Sequence, residues 1–245
     1  PVTGELPVLA MSTKDEITLR TPDALINGQG VVDAVQSCFP NVKNAWATPA
    51  IDIDTLLIAM RIASYGNGMD LEAVCPHCEA NNDFTIDLTH VLASVESPDY
   101  SKKLAVDDLL IKIKPAPYFA INRANQIAYE EQQLLRSVAA MENNAEATKE
   151  FNERLNKIID LNVETLSAST EYIETEDSTV VNDPAHIDEF YKNCDTKVIR
   201  EVQKQVAWFN SQAAIKPINV TCNECQKPFD VGLTFDYANF FAVGS

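Results

Sequence analysis

Cys75-Pro76-His77-Cys78 and Cys222-Asn223-Glu224-Cys225 are two Cys-x-x-Cys pairs, each set between short alternating apolar runs. Leu71 to Val74 and Phe84 to Leu88 read as strands on either side of the first pair, and the chain beyond Pro217 repeats the arrangement around the second. Two such knuckles are the two halves of one metal ribbon. If one ion joins them, residues 79–221 become a loop closed by that ion, and the metal is architectural for the whole chain.

The donor set points to zinc. Four thiolates complete a tetrahedral shell and leave no position for water or substrate, so a site made of Cys75, Cys78, Cys222 and Cys225 is structural. Closing a loop of about 140 residues costs about 4 kcal/mol in chain entropy. Structural zinc sites in small peptides release roughly 10 to 16 kcal/mol, so the metal outweighs the closure. His77 lies inside a knuckle, but with four cysteines available it reads as a neighbour of the site or an exposed residue.

The rival reading is redox chemistry. Cys75-Pro76-His77-Cys78 resembles the active-site tetrapeptide of the DsbA-type thiol oxidases, where a helix N-terminus ionises the first thiol. Here Glu79-Ala80-Asn81-Asn82-Asp83 leads into the strand-like Phe84-Thr85-Ile86-Asp87-Leu88, so the helix is missing. A second pair in the same setting also goes unexplained. A thiol-disulfide oxidoreductase using Cys75 and Cys78 is therefore the alternative reading.

Composition narrows the classes further. The chain has 245 residues, 46% of them hydrophobic, enough for a packed core. A formal charge of −17 and no basic cluster longer than Lys102-Lys103 argue against a nucleic-acid partner. A basic protein partner fits that field better. No apolar run is long enough for a membrane span, and Pro1-Val2-Thr3-Gly4-Glu5 lacks the character of a signal peptide. Cys38 and Cys194 stand alone, unlike a secreted disulfide framework, so a reducing cytosol is expected.

Periodicity supplies the rest. A capping signal at Thr13 and Glu16 starts a short helix, Gly30 opens another through Phe39, and Pro40 ends it. Asp52 or Asp54 is expected to cap the apolar helix Thr55 to Tyr65, with Gly66 past its end. Leu109 to Lys114 alternates as a strand with its lysines toward water. Apolar stripes over Tyr118 to Met141 and Ala145 to Ile173, joined by Glu142-Asn143-Asn144, predict an antiparallel helical hairpin whose stripes are most simply core, with an exposed partner-binding groove as the alternative. Thr175 to Asp183 reads as an acidic loop, and helices follow Asp183-Pro184 and Asp195.

The expected fold is α+β: a mainly helical body with a split zinc-ribbon-like pair of β-hairpins and a helical insertion between them. The expected divisions are 1–115, a helical insertion 116–214, and 215–245 packing back on the first. Catalytic candidates are absent. His90 and His186 are isolated, no serine sits in a nucleophile elbow, and Gly28-Gln29-Gly30 and Gly66-Asn67-Gly68 are too short for phosphate loops. Cys38 falls on an apolar helix face as a core residue.

One stretch carries a family likeness. Ile51-Asp52-Ile53-Asp54-Thr55-Leu56-Leu57-Ile58-Ala59-Met60-Arg61-Ile62-Ala63-Ser64-Tyr65-Gly66, followed by Cys75-Pro76-His77-Cys78, resembles the baseplate hub-assembly family of T-even-like contractile-tailed bacteriophages. The aromatic ending Phe235 to Ser245 is similar too, whereas the helices between Tyr118 and Ala214 carry no part of the likeness. The resemblance implies a non-enzymatic phage tail baseplate component or assembly factor, located in the virion tail and assembled in the host cytoplasm. Its partners would be other phage tail and baseplate proteins, its oligomeric state would be set by the assembly, and the family supplies no catalytic residue. A host-directed zinc-ribbon adaptor is a further alternative.

Overall fold

The computed structural model of the protein describes residues 4–21, 27–139, 145–233 and 240–241, with side chains at 135–139, 145–148 and 150 excepted. The chain forms two units, Pro1–Ser97 with Gln212–Ser245, and Pro98–Ser211.

The first unit opens with α1 (Thr13–Leu19) and α2 (Gln29–Cys38). Ser12 caps α1 through a capping box with Asp15, one residue ahead of the expected Thr13 and Glu16. Glu16 instead accepts the Tyr65 hydroxyl at 2.7 Å. The helix that carries the family likeness, α3 (Ala50–Tyr65), starts earlier than its sequence suggests, at Pro49, which leaves Asp52 in the first turn and Asp54 inside the helix. Pro49 is the N-cap residue, and no side chain caps the first turn. Gly66 follows with φ 89, where a side chain would be strained. Leu57, Ile58 and Met60 are fully buried, as an all-round apolar helix requires. The carbonyl of Phe241 accepts from Arg20 at 2.7 Å, which fixes the described C-terminal residues to this helical layer.

β1 (Gly68–Val74) and β2 (Asn81–Asp87) then form the first hairpin. Where the sequence reading continues the strand through Leu88, Asp87 caps a short helix, α4 (Leu88–Ala93). The second hairpin is β7 (Ile218–Thr221) with β8 (Pro228–Val231). Each hairpin is a separate two-stranded sheet.

The second unit is built on a four-stranded antiparallel sheet in the order β3 (Lys103–Val106), β4 (Leu109–Ile113), β5 (Thr170–Glu174), β6 (Val180–Val181). It begins ahead of β3 because β4 pairs with β5. Between those strands run α5 (Tyr118–Ala139) and α6 (Ala145–Ala168), and after the sheet come α7 (Pro184–Asn193) and α8 (Thr196–Ala213). The second helical stripe thus stops at Ala168, not Ile173. Thr170 to Glu174 instead pair with β4, and Ile173 enters the core beside Ile111, Leu166 and Val202. Asp183 caps α7 by accepting from the amides of Ala185 and His186, as Asp-Pro predicts.

The stripes of α5 and α6 do not serve the core along their whole length. Val163 and Leu166 are buried, but Phe151, Leu155 and Ile159 are 41%, 42% and 52% exposed. Among the described residues of α6, the buried apolar ones, Leu161, Val163 and Leu166, lie toward its C-terminal end. Between the helices, Glu131 is buried and takes ion pairs from Arg154 at 3.3 Å and Lys157 at 3.2 Å. The link 142–144 lies outside the described residues. No helix among the described residues is long and apolar enough to cross a membrane.

Candidate metal centre

The two Cys-x-x-Cys pairs adopt one backbone conformation. Cys75 donates its amide to Ala80 and accepts from the Glu79 amide; Cys222 donates to Lys227 and accepts from the Gln226 amide. Glu79 and Gln226 occupy the same place in each knuckle and both have left-handed φ, 61 and 58. Neither is glycine, so each knuckle holds a residue in a strained region that its own hydrogen bonds must maintain.

These knuckles face each other. The four sulfurs of Cys75, Cys78, Cys222 and Cys225 lie within 4.8 Å of one another. Across the knuckles, Cys75 lies 3.7 Å from Cys225 and Cys78 lies 3.6 Å from Cys222. A tetrahedron with metal–sulfur bonds near 2.3 Å has edges of about 3.8 Å, so the sulfurs stand at a spacing four thiolates around one ion adopt. A disulfide needs about 2.05 Å. The four cysteines could hold a metal ion.

Electrostatics within the cluster are unequal. The amides of Cys225 and Glu224 and the hydrogen bonds with Cys78 and Cys75 outweigh burial at Cys222 and lower its thiol to about 6. At Cys78 the Ala80 amide pulls downward, but burial and the hydrogen bonds with Cys225, Cys222 and Cys75 prevail and push it up to about 12. The cluster thus favours negative charge on Cys222 and a retained proton on Cys78.

Around the sulfurs the packing is apolar on one side. Cys75, Cys222 and Phe229 form a buried cluster, with Phe84 edge-on to Phe229 at 6.1 Å. Cys78 is exposed and Cys225 half-buried, so the cluster sits at a margin of the unit. His77 is exposed and reaches the Pro228 carbonyl at 3.4 Å. Cys38 is a core residue whose thiol is pushed up to about 11 by burial and the Asp15 carboxylate.

One residue of the site escaped the sequence reading. Asn82 is 2% exposed, donates to the Ala80 carbonyl at 2.9 Å, and accepts from the Asn223 amide at 2.7 Å. It ties the first hairpin to the second knuckle. Its signal was present: Asn82 falls in the inward phase of β2 with Phe84 and Ile86, where a polar residue needs a partner.

An α+β chain whose two hairpins, from opposite ends of the sequence, meet at four cysteines is a split-ribbon protein. This one belongs to the T4 bacteriophage base plate protein family, whose model matches residues 7–242. It is accordingly a phage baseplate protein, with other phage proteins as its partners and the virion tail as its place. No curated protein and no solved structure matches the chain.

Proposed function

We propose that this protein is a non-enzymatic structural or assembly component of the baseplate hub of a contractile tail, held together by one structural Zn²⁺ on Cys75, Cys78, Cys222 and Cys225. The observation that carries the zinc reading is the set of four sulfurs, spaced as a tetrahedral thiolate shell, with no further His, Cys, Asp or Glu in the group among the described residues. Family membership supports the baseplate role. When bound, the ion supplies charge compensation and cross-linking. The chain's own residues hold the knuckles, with Asn82 and the left-handed Glu79 and Gln226 fixing the loops that present the sulfurs.

On this reading residues 98–211 are an excursion from a metal-closed base, and the protein is put together with its partners in the host cytoplasm. Thiol oxidase chemistry is less well supported, because Cys75 and Cys78 stand in one cluster with Cys222 and Cys225 and lead into β2 instead of a helix. The test is elemental analysis of the purified chain together with mass spectrometry of purified tails. One zinc per chain and a fixed copy number in the tail support the structural version. Zinc without the protein in mature tails, and hub defects on deletion, support the assembly version. Metal-free protein with dithiol oxidase activity overturns both.

A further inference from the structure

A groove of about 670 Å³ in the first unit runs between β2 and β7. Its walls come from consecutive residues of these two strands and from α4, with none from β1 or β8. Since β1–β2 and β7–β8 are separate sheets, β2 and β7 each turn an unpaired edge toward it. The ladder pattern fixes which groups are free. Leu88 donates to Asn67 and Cys75 to Ala80, so β2 bonds β1 through its even-numbered residues. The amides and carbonyls of Asp83 and Thr85 and the amide of Asp87 therefore point into the groove, while the Asp87 carbonyl serves the first turn of α4. By the same logic, Cys222 donating to Lys227 leaves Asn219 and Thr221 pointing in from β7. No described residue pairs with these backbone groups.

Side chains set the character of what could enter. Phe84 and Ile86 from β2, and Ile218 and Val220 from β7, stand on the inward phase of their strands, with Val91 of α4 also lining the groove. The outward phase is acidic: Asp70, Glu72, Asp83, Asp87 and Asp230 are all exposed. Glu72 lies directly opposite Asp83 in a non-hydrogen-bonded pair, where side chains come closest and like charges repel. Lys216 at the rim is already paired with Glu96 at 2.6 Å.

We propose that an extended segment of a partner protein, alternating apolar and basic residues, adds as a strand between β2 and β7 and joins the two hairpins into one sheet. Two rows of free backbone donors and acceptors specify a strand as the occupant. The apolar phase below and carboxylates above specify its alternation. With four residues in β7, the engaged segment is about five residues, near 16 Å long. This deepens the baseplate reading by naming the kind of partner, and rests on the two hairpins being fastened at the cysteines.

The test uses the full metal-loaded chain and a capped five-residue peptide alternating valine and lysine, read by amide hydrogen exchange. Exchange at Asp83, Thr85, Asp87, Asn219 and Thr221 is expected to slow about tenfold. A peptide methylated at its backbone nitrogens and a valine–glutamate peptide should give no protection. Thr85→Pro and, separately, Asn219→Pro each remove one inward amide from an edge, where proline is tolerated, and should weaken the effect while zinc content stays at its wild-type level. Protection by all three peptides, protection instead at the outer edge of β1, or protection already present in the peptide-free chain through its own residues or a second copy would overturn the proposal. Loss of zinc in the unsubstituted chain would instead overturn the metal reading, which the same samples report independently.

Discussion

Asn82 and Asn223 lie 141 positions apart and are joined by a 2.7 Å hydrogen bond from the Asn223 amide to the buried Asn82 side chain. This is a direct polar tie between the two halves of the ribbon besides the cysteines. Asn82→Ala leaves the Asn223 amide without its Asn82 partner and the Ala80 carbonyl with only the Cys75 amide. A loss of about 1 to 3 kcal/mol is expected in denaturant unfolding of the metal-loaded protein. An unchanged midpoint would remove Asn82 from the site.

Both cysteine pairs contribute to one cluster, so neither should be dispensable. Cys75→Ser and Cys222→Ser replace the two fully buried sulfurs. Each is expected to abolish stoichiometric zinc and to lower thermal stability by a similar amount, and a chelator should reproduce the loss in the unsubstituted chain. Metal retained after loss of either pair would show two independent sites.

Acid should release the metal. Cys78 holds its proton up to about 12 when no ion is present, so binding near neutral pH must displace at least that proton. Protons compete more strongly as pH falls. Zinc affinity should therefore drop at least about tenfold per pH unit, and the stability the metal confers is present at higher pH and lost on acidification. Competition titrations across pH, with calorimetry in buffers of different ionisation enthalpy, measure the slope and the proton count. A flat profile contradicts thiolate ligation.

Leu166 and Ile159 lie on the same helix but in different surroundings, 5% and 52% exposed. Leu166→Ala opens a cavity against Ile111 and Ile173 and is expected to cost about 2 to 5 kcal/mol. Ile159→Ala should stay within about 0.5 kcal/mol. Equal losses in chemical denaturation would mean that the exposed stripe of α6 is covered in solution.

Local rules made some of the fold legible. Asp-Pro at 183–184 is a complete cap signal over two residues, and α7 starts there. Alternation in Leu109 to Ile113 is equally local. Other features failed because tertiary partners decided them. Thr170 to Glu174 continue an apolar helical stripe on paper, yet β4 offers them a ladder and Ile173 a place in the core. Pro49 displaced the expected aspartate caps of α3. Glu16 was free to bond Tyr65 because Asp15 serves the Ser12 cap equally well.

The sequence by itself determined the four cysteines, their strand-turn-strand setting and the family, because coordination chemistry demands these residue types at a fixed short spacing and a knuckle is made by six consecutive residues. Only the tertiary structure decided that the pairs meet, that Asn82 bridges them, and that β2 and β7 face one groove with free edges. Those relations join residues more than 130 positions apart, and the terms that set them, burial and hydrogen-bond satisfaction, depend on which surfaces come together and leave no periodic mark in the chain.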